Sequence, residues 1–326
     1  MMEKGPPNSS EGQQGWFSAR NGSGSSLGLQ SVAQPLALNP WDVVLCVSGT
    51  VICCENAVVL LAILHTPALR APAFLLLGSL ATADLLAGLG LLLHVALVYL
   101  VPWEAASLLT VGLLVASFTA SVSSLLSITI DRYLSLCDAL TYHSESTVTR
   151  THVMLLLTWG ASVCWGLLPA AGWNCLGQPS ACSAVRPLTR GQLAALAACL
   201  LAALAAVLQL YVRICRVLRR HARHIAVQRH LPAGCHEASA RRGAATLAVT
   251  LGTPAACWLP FALHGLLGGR SSPALHTYAT LLPAAYNSLL NPVIYAFRNR
   301  EIRKVLWAAC CGCSAGPSRA RPPSDV

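Results

Sequence analysis

Seven apolar runs, each long enough to cross a bilayer, alternate with polar connections along the chain. They fall at roughly 42–64, 73–99, 107–130, 153–173, 192–212, 244–267 and 275–297. A span takes about 20 mostly apolar residues, because the hydrocarbon core is about 30 Å thick and a helix rises about 1.5 Å per residue. Only helices and closed barrels satisfy their own backbone groups in lipid, and runs of this length predict helices. The expected fold is an all-α membrane protein, a seven-transmembrane helix bundle over residues 41–298. A polar tail (1–40) precedes it, and a short amphipathic helix (299–313) and a tail (314–326) follow. The fifth run, rich in Ala and Leu, is the clearest. The seventh is the most polar and is read partly from its ending.

Composition agrees. The 326 residues are 55% hydrophobic and 10% charged, against about 25% charged in soluble domains. Of the 22 Lys and Arg, seventeen fall in one alternating set of connections and five in the other. The basic set is expected in the cytoplasm, which puts the N-terminus outside. The net charge of +10 is accounted for by this topology and by anionic lipid, so no nucleic-acid partner is expected. Asn8-Ser9-Ser10 and Asn21-Gly22-Ser23 are glycosylation acceptors on the outer tail. No cleavable signal peptide is visible, so the first span is expected to target the chain.

Of fourteen Cys, six lie in the spans and read as small apolar residues. Cys175 and Cys182 share an outer loop on the oxidising side, and a disulfide is expected there. Cys310, Cys311 and Cys313 follow the stretch from Phe297 to Trp307, which alternates basic and apolar residues like a helix lying on the inner leaflet. They are expected to be palmitoylated, with free thiols as the alternative. No His accompanies them, which argues against a metal site.

Polar residues inside the spans are few. Asp84 lies mid-span, and Asn56, Ser121, Asn287, Ser288 and Asn291 lie at comparable depth. An intramembrane carboxylate needs partners. The group fits a sodium site or a hydrogen-bonded packing cluster, and both readings stay open. Pro260 in Trp258-Leu259-Pro260, the earlier Pro254, and Pro292 in Asn291-Pro292 predict kinked sixth and seventh helices. Asp131-Arg132-Tyr133 ends the third span. An Arg costs about 2.5–3.5 kcal/mol at a helix centre on insertion scales, and Asp131 is expected to hold Arg132 locally.

Taken together these residues resemble the rhodopsin-like (class A) G-protein-coupled receptors over roughly residues 40–313. The carriers are Asn56, Leu80 to Leu85, Asp131-Arg132-Tyr133, Trp159, Cys257 to Pro260 and Asn291 to Tyr295. Singly they are weak; in this order, one per span, they are specific. Ser107 stands where most of the family has Cys, and Ala203 where most has Pro. With the Cys pair in the outer loop, this resembles the branch of cannabinoid, lysophospholipid and melanocortin receptors. Trp41 to Cys46, Arg70-Ala71-Pro72, Asp131 to Thr141 and Pro323 to Val326 resemble its orphan receptors that signal without added agonist.

That resemblance implies coupling to the stimulatory G protein, active adenylate cyclase and raised cyclic AMP. The alternative within the branch is a receptor that requires agonist and couples to another G protein. A transporter is a distant alternative, and no internal repeat supports it. No enzyme motif is present.

The resemblance also assigns residues. Arg132, Tyr211 and Tyr295 are expected to make active-state contacts. Leu140 is expected to insert into the G protein. Trp258 is the toggle. Relatives carry an acidic partner for the Arg low in span six, twenty residues before Pro260. Here that site is Ala240, beside the basic Arg241 and Arg242, so the restraint is missing. Pro254 replaces a usual Phe whose partners here are Val122 and Ala203.

Leu114 stands where amine receptors have an acid, and Thr110 and Val111 where sphingosine-phosphate receptors have Arg and Glu. The only lysines are Lys4 and Lys304, so a retinal Schiff base is excluded. What remains is an apolar pocket of Leu113, Leu114, Phe118, Trp258, Phe261 and Leu282, with His94 and Thr110 as polar contacts. It suits a lipid-like ligand, with ordinary packing as the alternative. No other cofactor is implied. Arrestin is a candidate partner, as is a PDZ domain at Ser324-Asp325-Val326.

Overall fold

The computed structural model describes residues 40–69, 71–100, 103–137, 144–183, 185–229, 252–267, 274–298 and 303. Among these are seven α-helices: α1 (Pro40–His65), α2 (Pro72–Leu100), α3 (Trp103–Cys137), α4 (Ser144–Leu167), α5 (Arg190–Arg229), α6 (252–267) and α7 (Ala274–Arg298). The described residues of α1, α2, α3 and α5 are long and apolar enough to cross a membrane by composition alone. The other helices have polar residues or a shorter described length.

The helices overrun the apolar runs. At 40 residues, α5 is about 60 Å long, twice the hydrocarbon thickness. Its Arg-rich end, beginning at Arg213, therefore projects beyond the membrane. The fourth helix departs most from expectation. It begins nine residues before 153 and ends at Leu167. Leu168 precedes Pro169, and a residue before proline is pushed out of the helical region by the ring. Gly172 then turns the chain at φ 105°, which glycine adopts without a Cβ clash.

α3 is the hub, packed on α2, α4 and α5, while α1 and α7 close the bundle around α2. Lipid is as apolar as leucine, so helices associate through small residues and polar contacts rather than hydrophobicity alone. A Cβ on Gly49 would lie 2.9 Å from the Gly88 carbonyl oxygen, and one on Gly112 would lie 2.6 Å from that of Gly166. These glycines let α1 approach α2 and α3 approach α4. The Trp159 indole donates to Ser79 Oγ at 3.0 Å, and Ser79 Oγ lies 3.1 Å from Ser124 Oγ. That chain ties α4, α2 and α3.

Pro292 explains a further tie. It has no N–H for the carbonyl of Ser288, and Asn56 Nδ2 donates to that carbonyl at 3.1 Å. Pro283 is a second proline inside α7, which the sequence reading passed over.

The α4–α5 loop is pinned at both ends. The expected Cys175–Cys182 disulfide is formed. Thr189 caps α5: its Oγ1 accepts from Gln192 N at 3.2 Å, and Gln192 Oε1 accepts from Thr189 N at 2.8 Å. This reciprocal pair is the Thr-x-x-Gln capping box. Gln192 Nε2 also donates to the Trp173 carbonyl at 2.5 Å, which folds the loop down onto α5.

Candidate functional site

Three arrangements stand out. The first surrounds Asp84, which is fully buried on α2. Its Oδ1 accepts from Ser121 and Ser288, each at 2.7 Å, and its Oδ2 from Asn291 at 2.7 Å. Ser288 and Asn291 lie three residues apart and share one face of α7. Asn287 is turned about 100° from Ser288, and both its polar side-chain atoms are buried without a partner among the described residues. Asn56 bonds the Ile52 and Ser288 carbonyls rather than Asp84. The six residues named from depth thus divide into a carboxylate with three donors and two asparagines beside them.

The second arrangement is at the far end of α3. Asp131 was expected to hold Arg132. Instead Arg150 on α4 donates from Nη2 to Asp131 Oδ1 at 3.0 Å, with side-chain exposures of 22% and 6%. Arg132 is exposed and makes no ion pair among the described residues. The early start of α4 is the cause, because it carries Arg150 alongside the last turns of α3. Tyr133 on α3 and Tyr211 on α5 are both half-buried. Tyr295 is on α7, with its side chain outside the described residues.

The third is a cavity of about 190 Å³. His94, Leu114, Phe118, Trp258 and Phe261 line it, as expected from sequence. Thr110, Leu113 and Leu282 do not. Thr110 Oγ1 lies 2.9 Å from His94 Nδ1, and Leu282 packs with Leu45, Ile52 and Leu91. Phe118 and Phe261 meet the Trp258 ring edge-on at 5.2 and 6.3 Å. Pro260 follows Trp258 inside α6. Val122 and Ala203 share one cluster with Trp258 and Cys257.

The sequence reading passed over the α4, α5 and loop walls. These include Ser162 and Trp165, Leu196 and Cys199, and Val185 and Leu188. The capping box was the available signal for Leu188, since it fixes the next residue, Thr189, as the cap of α5.

Asn8, Asn21, Leu140, Ala240, Cys310, Cys311, Cys313 and Ser324-Asp325-Val326 lie outside the described residues.

Comparison with known proteins adds to this geometry. Residues 55–295 match the family described as 7 transmembrane receptor (rhodopsin family). G-protein coupled receptor 12 of Mus musculus is 60% identical over 293 residues, 89% of this chain and 88% of its own. G-protein coupled receptor 6 of Homo sapiens is 59% identical over 292 residues, 89% and 81% of the two chains. G-protein coupled receptor 3 of Homo sapiens is 55% identical over 320 residues, 95% and 97% of the two chains. The likeness is to receptors, not to an enzyme or a transporter.

Proposed function

This chain belongs to the rhodopsin family of seven-transmembrane receptors, and on that premise we propose that it signals without added agonist. It is a multi-pass plasma-membrane protein whose partner is a heterotrimeric G protein. Within that class, the reading is coupling to the stimulatory type, activation of adenylate cyclase and a high basal level of cyclic AMP.

The observation that carries the proposal is the Asp131–Arg150 pair. An Arg that ends span three is restrained when a neighbouring carboxylate holds it. Here Arg150 occupies that carboxylate at 3.0 Å and Arg132 stands exposed. The sequence adds Ala240, beside Arg241 and Arg242, at the site where many members of the wider family carry an acidic partner. Two restraints on one Arg are thereby absent. A change of about 1.4 kcal/mol alters a two-state ratio tenfold, and one partly buried ion pair is of that order.

The test is Ala240→Glu. Restoring the acid is expected to lower basal cyclic AMP per surface receptor severalfold in transfected cells, and deleting the stimulatory Gα is expected to abolish the signal. An unchanged signal in Ala240→Glu refutes the missing restraint; a signal that survives the deletion refutes the coupling.

The same reading takes Arg132, Tyr211 and Tyr295 as the inner contacts and Leu140 as the residue inserted into the G protein. It places the N-terminus outside, glycosylated at Asn8 and Asn21, with Cys310, Cys311 and Cys313 palmitoylated beneath the inner leaflet. Arrestin and a PDZ domain at Ser324-Asp325-Val326 are further partners in this reading. Retained sodium beside Asp84 and a lipid-like ligand against Trp258 are its candidate small molecules.

A further inference from the structure

α3 and α4 touch at two levels. Near the disulfide loop, Gly112 and Gly166 meet backbone to backbone, each ideal Cβ lying 2.6 Å from the other's carbonyl oxygen. Toward Asp131, Ser127 Oγ and Thr158 Oγ1 are 3.3 Å apart. Between those levels the cavity extends sideways, lined by Thr119 and Ser123 of α3 and by Ser162 and Trp165 of α4.

The hydroxyls there are not equivalent. Thr119 Oγ1 donates to the Val115 carbonyl at 2.7 Å, as Ser117, Thr129 and Thr151 do to carbonyls four residues back. Ser162 is 1% exposed, yet its hydroxyl has no partner among the described residues. A buried hydroxyl left open costs about 1–3 kcal/mol, and helical serines usually avoid this by bonding backward. The Trp258 indole N–H, on the α6 wall, is also buried without a partner among the described residues. Two residues of the cavity wall thus carry neutral hydrogen-bonding groups without a partner among the described residues, while no Asp, Glu, Lys or Arg lines it among the described residues.

We propose that the α3–α4–α5 branch of this cavity binds an uncharged single-chain lipid whose carbonyl or hydroxyl group bonds Ser162. This rests on the reading of the cavity as a lipid pocket and specifies its ligand. An ionised headgroup is disfavoured, since burying an unpaired charge costs far more than burying a bonded neutral group.

Size decides where the rest of the lipid goes. At about 190 Å³ the cavity is smaller than the ≈300–1,000 Å³ of sites that enclose a drug-sized ligand, so a long chain extends outside. α4 and α5 both pack on α3 and hardly on each other. Cys199 of α5 lines the cavity and is also exposed. The chain leaves through this gap into the bilayer.

The experiment uses the full-length receptor, stripped of co-purified lipid and then placed in nanodiscs of defined phospholipid, with oleoyl ethanolamide as the neutral probe and oleic acid and oleoyl lysophosphatidic acid as charged ones. The neutral probe is expected to bind at least about tenfold more tightly than either charged one. Ser162→Ala is expected to weaken it about three- to tenfold, and Ser162→Thr to restore it. In the wild type, the neutral probe is expected to slow alkylation of Cys199 by a bilayer-soluble maleimide, read by peptide mass. Equal binding of all three probes, full affinity in a folded Ser162→Ala, or no protection of Cys199 overturns the proposal. The last readout needs no variant, so a misfolded Ser162→Ala leaves it decisive. Basal cyclic AMP is measured in parallel. Its absence with Ser162-dependent binding intact counts against agonist-independent signalling alone; Ser162-independent binding with basal signal intact counts against this ligand assignment alone.

Discussion

Asp84 and Asp131 are both buried carboxylates in a membrane bundle, and they are held in opposite ways. Asp84 is surrounded by neutral donors from α3 and α7: two serine hydroxyls and an asparagine amide. Asp131 faces a guanidinium from α4. A charge-assisted hydrogen bond is about twice as strong as a neutral one, so the α3–α4 pair acts as a latch between the two helices. Around Asp84 every bonded partner among the described residues is a neutral donor, and none is a cation. The latch lies at the end of α3 and the cage of neutral donors in the middle of the bundle, where α7 meets α2 and α3.

The largest expected effect tests the latch. Arg150→Ala leaves Asp131 charged and buried, which should destabilise the detergent-purified receptor by about 2–4 kcal/mol. The range sits below that for a fully buried pair because Arg150 is 22% exposed. Thermal unfolding measures the loss. Basal cyclic AMP should fall in the same variant, since Asp131 becomes available to Arg132. Adding Asp131→Asn should recover part of both losses, because the two residues form one pair. If Arg150→Ala changes neither quantity, Asp131 is no more latched than Asp84.

Asp84→Ala comes next, at about 1–3 kcal/mol. Ser121 and Ser288 can turn their hydroxyls to carbonyls four residues back, while the Asn291 amide is left without its acceptor. A sodium response sharpens the contrast further. Replacing choline with sodium at constant ionic strength should stabilise the wild type by about 1 kcal/mol at several times Kd. Asp84→Ala should abolish that gain and Arg150→Ala should preserve it. No sodium effect in the wild type would identify the cage as packing alone. Ser121→Ala is expected to be smallest, about 0.5–1.5 kcal/mol, and to add to Arg150→Ala because the two sites share no partner.

Much of the cage was legible in the chain. Depth alone grouped Asp84 with Ser121, Ser288 and Asn291, and helical spacing put the last two on one face. What depth did not resolve was rotation, which turned Asn287 away and gave Asn56 to the carbonyl freed by Pro292. The latch was not legible. Arg150 was counted with the cytoplasmic charges, because the apolar run began only at 153, while the helix begins at Ser144. A helix that continues into polar sequence leaves no trace in hydropathy. The cavity was intermediate. Its α3 and α6 walls followed from aromatic and leucine positions near Trp258. Its α4, α5 and loop walls depended on the Thr189–Gln192 capping box and on how far α4 stands from α5.

The sequence by itself determined that seven helices cross a membrane, which end carries the positive charge and which family the motifs announce. Lipid leaves a backbone few ways to satisfy its hydrogen bonds, so long apolar runs admit little choice. The tertiary structure alone decided that Asp131 pairs with Arg150, that Arg132 is exposed and that Ser162 joins the wall of a cavity. Those contacts join different helices, and they depend on each helix's start, rotation and distance from its neighbours. Gly112 and Gly166 set one such distance by backbone contact, and no periodicity along a single chain encodes it.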